Sequence, residues 1–443
     1  MNRQKTNSFV VALCILLFAS SNLVAQTEKT FTLSEVFRLA IANSKQLKLA
    51  QTGVETSHAV TKIVESALLP TIDVSLSGSY IGNVAIMDRN FSNLQTFTMP
   101  HFGNNFAIDA SQVIFTGGAI PTNISKAKLE EQVAQLNYDR NELDICFLVT
   151  GYYLDLYKFK NQREVFLKNM EQTEMLITQI RYKEAQGMAL GSDVTRHELM
   201  LQHLKLSLIE IDNNSKILNQ QLVVTLGLPA DTHIIPDPSV LEMNLSSVNK
   251  DNLLQLAMSN LPELKSAALN KDIAAKDTRI AKADYFPQIA VVASNHFDGP
   301  ILIEVPTINS NLNYWYLGIG VKYNLASLYK SNKKIQFANK KQQLAENVEA
   351  LALEHTQLAV QSAYIRFMES FEKLKVYETS SRLANENYRI INNRYLSEAV
   401  LITEMLDASN TRLNADLELV NAKLNVIYNY YRLQREIGAK IRG

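Results

Sequence analysis

Two spacings of apolar residues alternate along this chain, one typical of strands and one typical of helices. Residues 71–82 alternate apolar and small polar residues, and 104–115, 288–298 and 314–325 do the same. Because successive side chains of a strand point to opposite faces, each segment predicts a strand with one apolar and one polar face. The pattern fits a sheet between lipid and a wet lumen, and it also fits an ordinary half-buried antiparallel sheet.

The segments that follow each strand pair predict unusually long helices. Residues 123–184 contain no proline and only one glycine, Gly151, and 330–394 is a second such stretch. A helix of about sixty residues extends roughly 90 Å at about 1.5 Å per residue. In the last helix the apolar residues follow alternating steps of four and three, which is a coiled-coil seam: Leu413, Leu417, Val420, Leu424, Ile427 and Tyr431. We therefore expect the helices to pack along one another.

The two sets of elements are copies of one unit. Residues 36–80 recur without a gap at 253–297, and after the proline of each copy the spacing changes from helical to alternating. Matched positions are Ala40 and Ala257, Asn43 and Asn260, Leu47 and Leu264, and Pro70 and Pro287. The duplication predicts three parts of the chain: a first structural repeat at 26–227, an inter-repeat segment at 228–250 and a second repeat at 251–443.

The first 25 residues are predicted to be a signal peptide. Arg3 and Lys5 precede an apolar stretch at 9–19, and small residues lead to a cleavage site after Ala25. This stretch and all later ones are too short to span a bilayer as a helix, so insertion into a membrane would require a closed β-barrel. Four strands are too few to close a barrel, since small barrels need about eight, and oligomerisation follows if the strands enter a membrane.

Composition excludes several classes of function. Lys plus Arg and Asp plus Glu each number 44, so the chain lacks the net positive charge typical of nucleic-acid binding. Without the signal peptide one cysteine remains, Cys146, which excludes an internal disulfide and is expected to be a buried packing thiol. The methionines are dispersed, which is typical of core filling rather than of a thioether metal relay.

Catalytic and metal-binding motifs fail on inspection. His197-Glu198 lacks the second histidine of a zinc-protease helix, because His203 lies six positions on and off the same face. Gly117-Gly118 lacks the lysine of a phosphate loop, and no serine lies in a nucleophile elbow. The sequence therefore predicts no enzyme, no catalytic residue, no cofactor and no metal site.

Several segments together resemble the TolC family of outer-membrane efflux proteins. The resemblance covers nearly all of residues 31–438, and it depends on the order, spacing and duplication of its segments. The segments are Phe31-Thr32-Leu33-Ser34-Glu35, Leu68-Leu69-Pro70, Ile114-Phe115-Thr116-Gly117-Gly118, Gly187 followed by Ser192-Asp193-Val194, and Arg394-Tyr395 followed by Glu404-Met405-Leu406-Asp407-Ala408.

This resemblance implies an α+β membrane protein that forms a homotrimer. Each protomer would contribute four strands to one 12-stranded outer-membrane β-barrel and its long coiled-coil helices to a periplasmic α-barrel. The segment 228–250 would belong to a belt around this tunnel. The implied function is a passive exit duct for efflux or type I secretion, with a periplasmic adaptor and an inner-membrane pump of the RND or ABC type as partners. The transported substrate is not written in the sequence.

The resemblance also implies a periplasmic aperture at the turns between the coiled helices. Glu404 and Asp407 correspond to the acids that ring this aperture, and Tyr395 and Asp193 correspond to a latch that holds it shut. A ring of carboxylates favours cations and is a candidate for binding a divalent ion. The alternative is that Glu404 and Asp407 are solvated acids favoured by the dipole at a helix N-terminus.

Two departures from the family pattern affect the latch. Val400 replaces its basic residue, which predicts that one closing ion pair is missing, and Glu398 replaces the glycine of the second turn. A second function also stays open, a periplasmic coiled-coil adaptor or a structural or adhesin protein with a small soluble sheet. The duplicated amphipathic strand pairs favour the duct, because an adaptor does not need two matched hairpins with long loops.

Overall fold

The computed structural model describes residues 27–242, 245, 250–304, 307–397 and 399–440. The predicted signal peptide, residues 1–25, lies outside these ranges, as do parts of the inter-repeat segment (243–244 and 246–249) and Glu398. No described helix combines the length and the hydropathy that crossing a lipid bilayer requires.

Each repeat supplies two shorter helices, a strand pair and two long helices. The helices are α1 (Leu33–Asn43), α2 (Lys45–Glu65), α3 (Ala119–Ala185), α4 (Gly191–Leu226), α5 (Leu253–Asn260), α6 (Pro262–Ala283), α7 (Ser327–Leu396) and α8 (Ile402–Glu436). The strands are β1 (Thr27–Phe31), β2 (Thr71–Tyr80), β3 (Val84–Ile86), β4 (Gln95–Phe97), β5 (Phe102–Phe115), β6 (Thr232–Pro236), β7 (Gln288–Gly299) and β8 (Leu312–Lys322).

The four predicted amphipathic strands form one antiparallel sheet in the order β2-β5-β7-β8. The first repeat supplies β2 and β5, the second supplies β7 and β8, and the central pairing of β5 with β7 joins the repeats. Along one row across the sheet Asp73 lies opposite Asp109, and Asp109 lies opposite Ser294. The predicted strands and their alternation are confirmed.

The register divides the side chains of this sheet into an apolar and a polar face. The apolar face is largely exposed, with Leu76 at 79%, Trp315 at 74% and Ile319 at 72% of their full solvent exposure. On the other face the Ser294 hydroxyl donates a 2.5 Å hydrogen bond to Asp109, and His296 Nε2 lies 3.7 Å from the same carboxylate. A sheet of a soluble core would bury its apolar face, so this exposure needs a partner surface or lipid.

The segment of helical spacing before Pro70 and Pro287 forms two helices in each repeat, with a break at equivalent positions. In the first repeat Ser44 leaves the helical region with ψ of 122°, and its hydroxyl accepts the Leu47 N–H at 3.3 Å. In the second repeat Leu261 breaks the helix with ψ of 118° before Pro262. A proline disfavours helical backbone in the residue before it, and a serine cap restarts the helix in the other copy.

Two small pairings were not predicted from the sequence. Strand β1 pairs in parallel with β6, from Thr27 opposite Thr232 to Phe31 opposite Pro236. Between the predicted strands 71–82 and 104–115, β3 and β4 form a short antiparallel hairpin. Both pairings use segments too short to show a clear alternation, and β1 and β6 lie far apart in the chain.

The described residues divide into two compact units that cut across both repeats. One unit draws on the described residues up to Ala50, within 138–262 and from Glu354 onward, and the other on those within 51–137 and 263–353. The four-stranded sheet lies in the second unit. Because this division follows packing rather than duplication, the boundaries of the two repeats stay a prediction.

The first unit contains an apolar core around the parallel β1–β6 pair. The hydroxyl of the fully buried Tyr153 donates to the Phe31 carbonyl at 2.9 Å and accepts the Asp237 N–H at 2.8 Å. Asn219 closes the same junction with bonds to the Thr232 carbonyl and the Ile234 N–H, each 2.8 Å. Cys146 is 2% exposed in this core, where burial raises its pKa to about 12, as expected of a packing thiol.

Candidate functional site

The turn between α3 and α4 is a Schellman motif. Gly187 has a φ of +77°, and its N–H donates to the Glu184 carbonyl at 2.9 Å. The Met188 N–H reaches back to the Lys183 carbonyl at 2.8 Å. This motif needs a left-handed residue at its centre, which glycine supplies without steric cost.

The described part of the turn between α7 and α8 contains the matching backbone bond. The Ala399 N–H donates to the Arg394 carbonyl at 2.8 Å, which is the counterpart of the bond from Met188 to Lys183. Extended residues then precede both following helices, Leu190 before α4 and Leu401 before α8. The matching bond and the extended residues set the register between the described parts of the two turns, with Leu190 equivalent to Leu401.

This register pairs two acids that the sequence analysis placed in different roles. The Asp193 N–H donates to the Leu190 carbonyl at 2.9 Å, and the Glu404 N–H donates to the Leu401 carbonyl at 3.1 Å. Asp193, predicted for the latch, and Glu404, predicted for the ring, thus occupy the same position of the two copies. Asp193 Oδ2 also accepts the Leu190 N–H at 3.2 Å, so this carboxylate caps its helix.

Glu404 and Asp407 lie in the first two turns of α8 and are both exposed. Neither side chain forms a hydrogen bond or an ion pair with any described residue of the protomer. Met405 and Ala408, which alternate with them, are 1% and 2% exposed. The helix thus buries its apolar side within the protomer and turns both carboxylates outward. An acidic ring and a solvated helix N-terminus both predict this exposure.

Tyr395 lies at the C-terminal end of α7, next to the turn that leads into α8. Unlike the two acids it is buried, with 7% of its surface exposed. Burial raises the pKa of Tyr395, and the nearby negative charge of Asp193 raises it further. Lys183 Nζ lies 5.0 Å from the centre of the tyrosine ring. The structure brings Tyr395 and Asp193 together, but no hydrogen bond joins their side chains within this protomer.

A hydrophobic cluster, which we call the tip cluster, unites the ends of four helices. It draws on both long helices of each repeat, and Val400, in place of the expected basic residue, packs against it. Its buried members are Leu176, Ile177, Ile180, Val194, Leu201, Tyr395 and Met405. Apolar packing thus joins the two turns of one protomer, at the place where the resemblance implied an ion pair.

His197 is a buried titratable group next to Asp193, the acid predicted for the latch. It is 1% exposed, its Nδ1 lies 2.9 Å from the Asp193 carbonyl, and its Nε2 has no partner. The bond to a carbonyl requires a proton on Nδ1, so Nε2 is the unprotonated nitrogen of the neutral ring. Burial lowers the pKa of His197 below that of a solvated imidazole.

We expect this histidine to make the folded protein less stable in acid. Below roughly pH 6.5 the unfolded chain takes up a proton that the buried ring does not, so the contribution of His197 is complete above that pH and is lost as the pH falls. In His197→Gln the fall in thermal unfolding temperature between pH 7.5 and pH 5.5 should be smaller than in the wild type. The exposed His355→Asn is the control, and an equal fall in all three proteins would contradict the expectation.

The sequence did not predict three side chains that contact or lie close to the predicted site residues. Lys183, His197 and Arg412 lack an informative motif, and only the register of the two turns relates them to the predicted site. Among the described residues, no group of three or more histidine, cysteine or acidic side chains is placed to hold a metal ion.

Comparison with known proteins agrees with this architecture. Over 404 residues the chain is 22% identical to toxin and drug export protein A of Aggregatibacter actinomycetemcomitans, covering 90% of this chain and 84% of that protein. It is 21% identical to the pyoverdine export outer membrane protein OpmQ of Pseudomonas aeruginosa over 59% of this chain and 55% of OpmQ.

Solved structures share the fold at low identity. The outer-membrane channel OprN superposes with a TM-score of 0.79 at 13% identity, covering 93% of this chain and 91% of that chain. The outer membrane protein VceC of Vibrio cholerae superposes with a TM-score of 0.78 at 14% identity, covering 92% and 96%.

Two helical hairpins and a four-stranded amphipathic sheet define the outer-membrane channel class of fold. Residues 253–439, nearly the whole second repeat, match the family model for outer membrane efflux proteins. This match covers the second repeat, and OpmQ is itself named as an outer membrane protein. Members of the family are channels of export systems and not enzymes.

Proposed function

We propose that three copies of this chain form an exit duct that conducts substrates passively from the periplasm to the cell exterior. The observation that carries the proposal is the sheet, because its apolar face is exposed and it has only four strands. Three such sheets give twelve strands, enough to close a barrel with the apolar faces toward lipid and the polar faces toward the lumen.

The partners follow from the place of such a duct in an export system. A periplasmic adaptor and an inner-membrane pump of the RND or ABC type supply energy and select substrate, since the duct has no nucleotide motif of its own. Toxin and drug export protein A and OpmQ are both named for export, which supports this role. The repeats, 26–227 and 251–443, each supply one strand pair and two tunnel helices, with 228–250 as the segment between them.

We assign the periplasmic aperture to the turns of the tip. Glu404 and Asp407 from three protomers place six carboxylates around one axis, and such a ring attracts cations. Tyr395 and Asp193 are the latch, supported by their proximity at the tip and by the effect of the Asp193 charge on the pKa of Tyr395.

The trimer is tested by electrophoresis of the membrane-extracted protein. We expect unheated samples to migrate as a trimer and boiled samples as a monomer of 49.9 kDa, less the signal peptide. A water-soluble monomer that leaves the membrane without detergent would instead support the adaptor or structural alternative.

The latch is tested by Tyr395→Phe. This change removes one hydroxyl and keeps the ring in the tip cluster, so we expect the protein to fold normally and the single-channel conductance in planar bilayers to increase. Tyr377→Phe, a change of the same kind elsewhere on α7, should leave the conductance at the wild-type value. If both variants conduct as the wild type does, Tyr395 does not latch the aperture.

A further inference from the structure

Arg412 of α8 is a buried cation at a position that is apolar in the other repeat. Only 5% of Arg412 is exposed. In the register of the two turns its counterpart is Leu201, a buried member of the tip cluster. The same place in the fold therefore accepts a leucine, and packing alone does not require an arginine here.

The guanidinium group contacts the first repeat through two side-chain amides. Arg412 Nη2 donates to Asn169 Oδ1 at 2.8 Å and to Gln172 Oε1. Asn169 is held in the right orientation, because its amide nitrogen donates to the Val165 carbonyl at 2.8 Å and so leaves Oδ1 toward the arginine. The acceptors lie one turn apart on α3.

The flat side of the same group packs on the second repeat. Arg412 Cζ lies 3.9 Å from the centre of the Tyr388 ring on α7. One side chain thus joins three helices, α8 that carries it, α3 through hydrogen bonds and α7 through stacking. We call this arrangement the Arg412 clamp.

The contacts of the clamp depend on the planar shape of arginine and not on a paired charge. No described carboxylate lies within ion-pair distance of Arg412, and its Nε has no hydrogen-bond partner. Burying a cation against neutral acceptors is unfavourable compared with burying the leucine found in the other copy. A lysine ammonium could donate to two acceptors, but it lacks the planar face with which the guanidinium stacks on the tyrosine ring.

The clamp faces away from the predicted ring acids on the same helix. Met405 and Arg412 are seven residues apart, so they lie on one side of α8, toward the first repeat. Glu404 and Asp407 flank Met405 and point elsewhere. Rotation of α8 about its axis would expose Met405 and redirect both acids, and the clamp opposes this rotation.

We propose that Arg412 is a positioning residue that fixes the rotation of α8 and thereby aims Glu404 and Asp407 into the aperture. The proposal rests on the proposed channel function for its consequence, since the acids act on ions only in an open duct. The claim that Arg412 fixes the orientation of α8 concerns a single protomer, and it can be tested whether or not the protein conducts ions.

Two measurements on the full-length protein test the two parts separately. The first is the rate at which a maleimide labels Met405→Cys in a Cys146→Ser background, with and without Arg412→Met. Met405 is buried, so we expect the second change to raise the labelling rate by about tenfold or more, as loss of hydrogen bonds to a charged group predicts. The second is cation-over-anion selectivity in planar bilayers, which we expect Arg412→Met to lower although both acids remain.

Further variants separate positioning from general stability. Arg412→Lys keeps the charge but not the planar face that stacks on Tyr388, so its selectivity should lie between those of the wild type and Arg412→Met. Gln172→Leu removes one acceptor at a half-buried site and serves if Arg412→Met does not assemble; it should shift labelling and selectivity in the same directions. The exposed Gln179→Leu on the same helix should change neither.

The outcomes are distinguishable. Unchanged labelling in both Arg412→Met and Gln172→Leu would overturn the clamp, and faster labelling with wild-type selectivity would reduce Arg412 to a structural residue. A wild type that forms no channels would refute the proposed function, while the labelling rates would still decide whether the clamp orients α8.

Discussion

Replacing Glu404 and Asp407 together by alanine is expected to lower the cation-over-anion selectivity of the channel by roughly thirtyfold. At about 8 Å one carboxylate changes the energy of a monovalent ion in water by about 0.5 kcal/mol, and screening at physiological salt reduces this roughly threefold. In the proposed trimer six carboxylates around one axis then sum to about 1 kcal/mol, favourable for a cation and unfavourable for an anion, so the ratio changes by about 2 kcal/mol. Block by trivalent cations should weaken at the same time, because the effect of a field grows with the charge of the ion.

The measurement is the reversal potential in planar bilayers under a salt gradient. Both residues are exposed, so the double variant should fold and assemble as the wild type does. Glu171→Ala with Glu174→Ala is the matched control, since it removes two exposed acids at the same spacing from the first repeat. If the control and the ring variant have equal selectivity, the acids of α8 are a solvated helix N-terminus and not a ring.

The second large effect is expected at the junction between the sheet and α3. Gly117 has a φ of +61°, and a methyl group there would lie 2.8 Å from both the Ala283 carbonyl oxygen and Phe286 Cβ. We expect Gly117→Ala to destabilise the fold by about 2–4 kcal/mol, from left-handed strain of about 1 kcal/mol and overpacking of about 1–3 kcal/mol. The contact includes backbone, so relaxation is limited.

Gly118 provides the control for this prediction. It also has a positive φ, +83°, but a methyl group there would meet nothing within 4 Å. Gly118→Ala should therefore cost only the strain, about 1 kcal/mol. The temperature at which the oligomer dissociates on a gel should fall in the order wild type, Gly118→Ala, Gly117→Ala. Equal temperatures for the two variants would show that the close approach to Ala283 does not matter.

Most of the secondary structure was predictable because its signals are local. Alternation predicted all four strands of the main sheet within a few residues, and the absence of proline and glycine predicted α3 and α7. The breaks at Ser44 and Leu261 were missed, although Pro262 is a local signal for the second. The parallel β1–β6 pair was missed because neither short segment reveals a partner that lies two hundred residues away.

The candidate site was predictable in part. Glu404 and Asp407 were expected on one exposed helix face and lie there, and Gly187 has the left-handed backbone that its turn requires. The burial of Tyr395 and the capping role of Asp193 were not foreseen, because both depend on packing between helices. Assignment of these residues to a ring and a latch stays a prediction.

By itself the sequence determined the duplication, the amphipathic strands and the long helices. The strands and helices follow from the spacing of apolar residues along the chain, and the duplication follows from the recurrence of one segment. It also determined that four strands per chain are too few for a barrel. Only the tertiary structure decided which faces meet. Burial of Arg412 against Asn169 and Tyr388, where the other repeat has Leu201, depends on three helices brought together from distant parts of the chain, and no local period records such contacts.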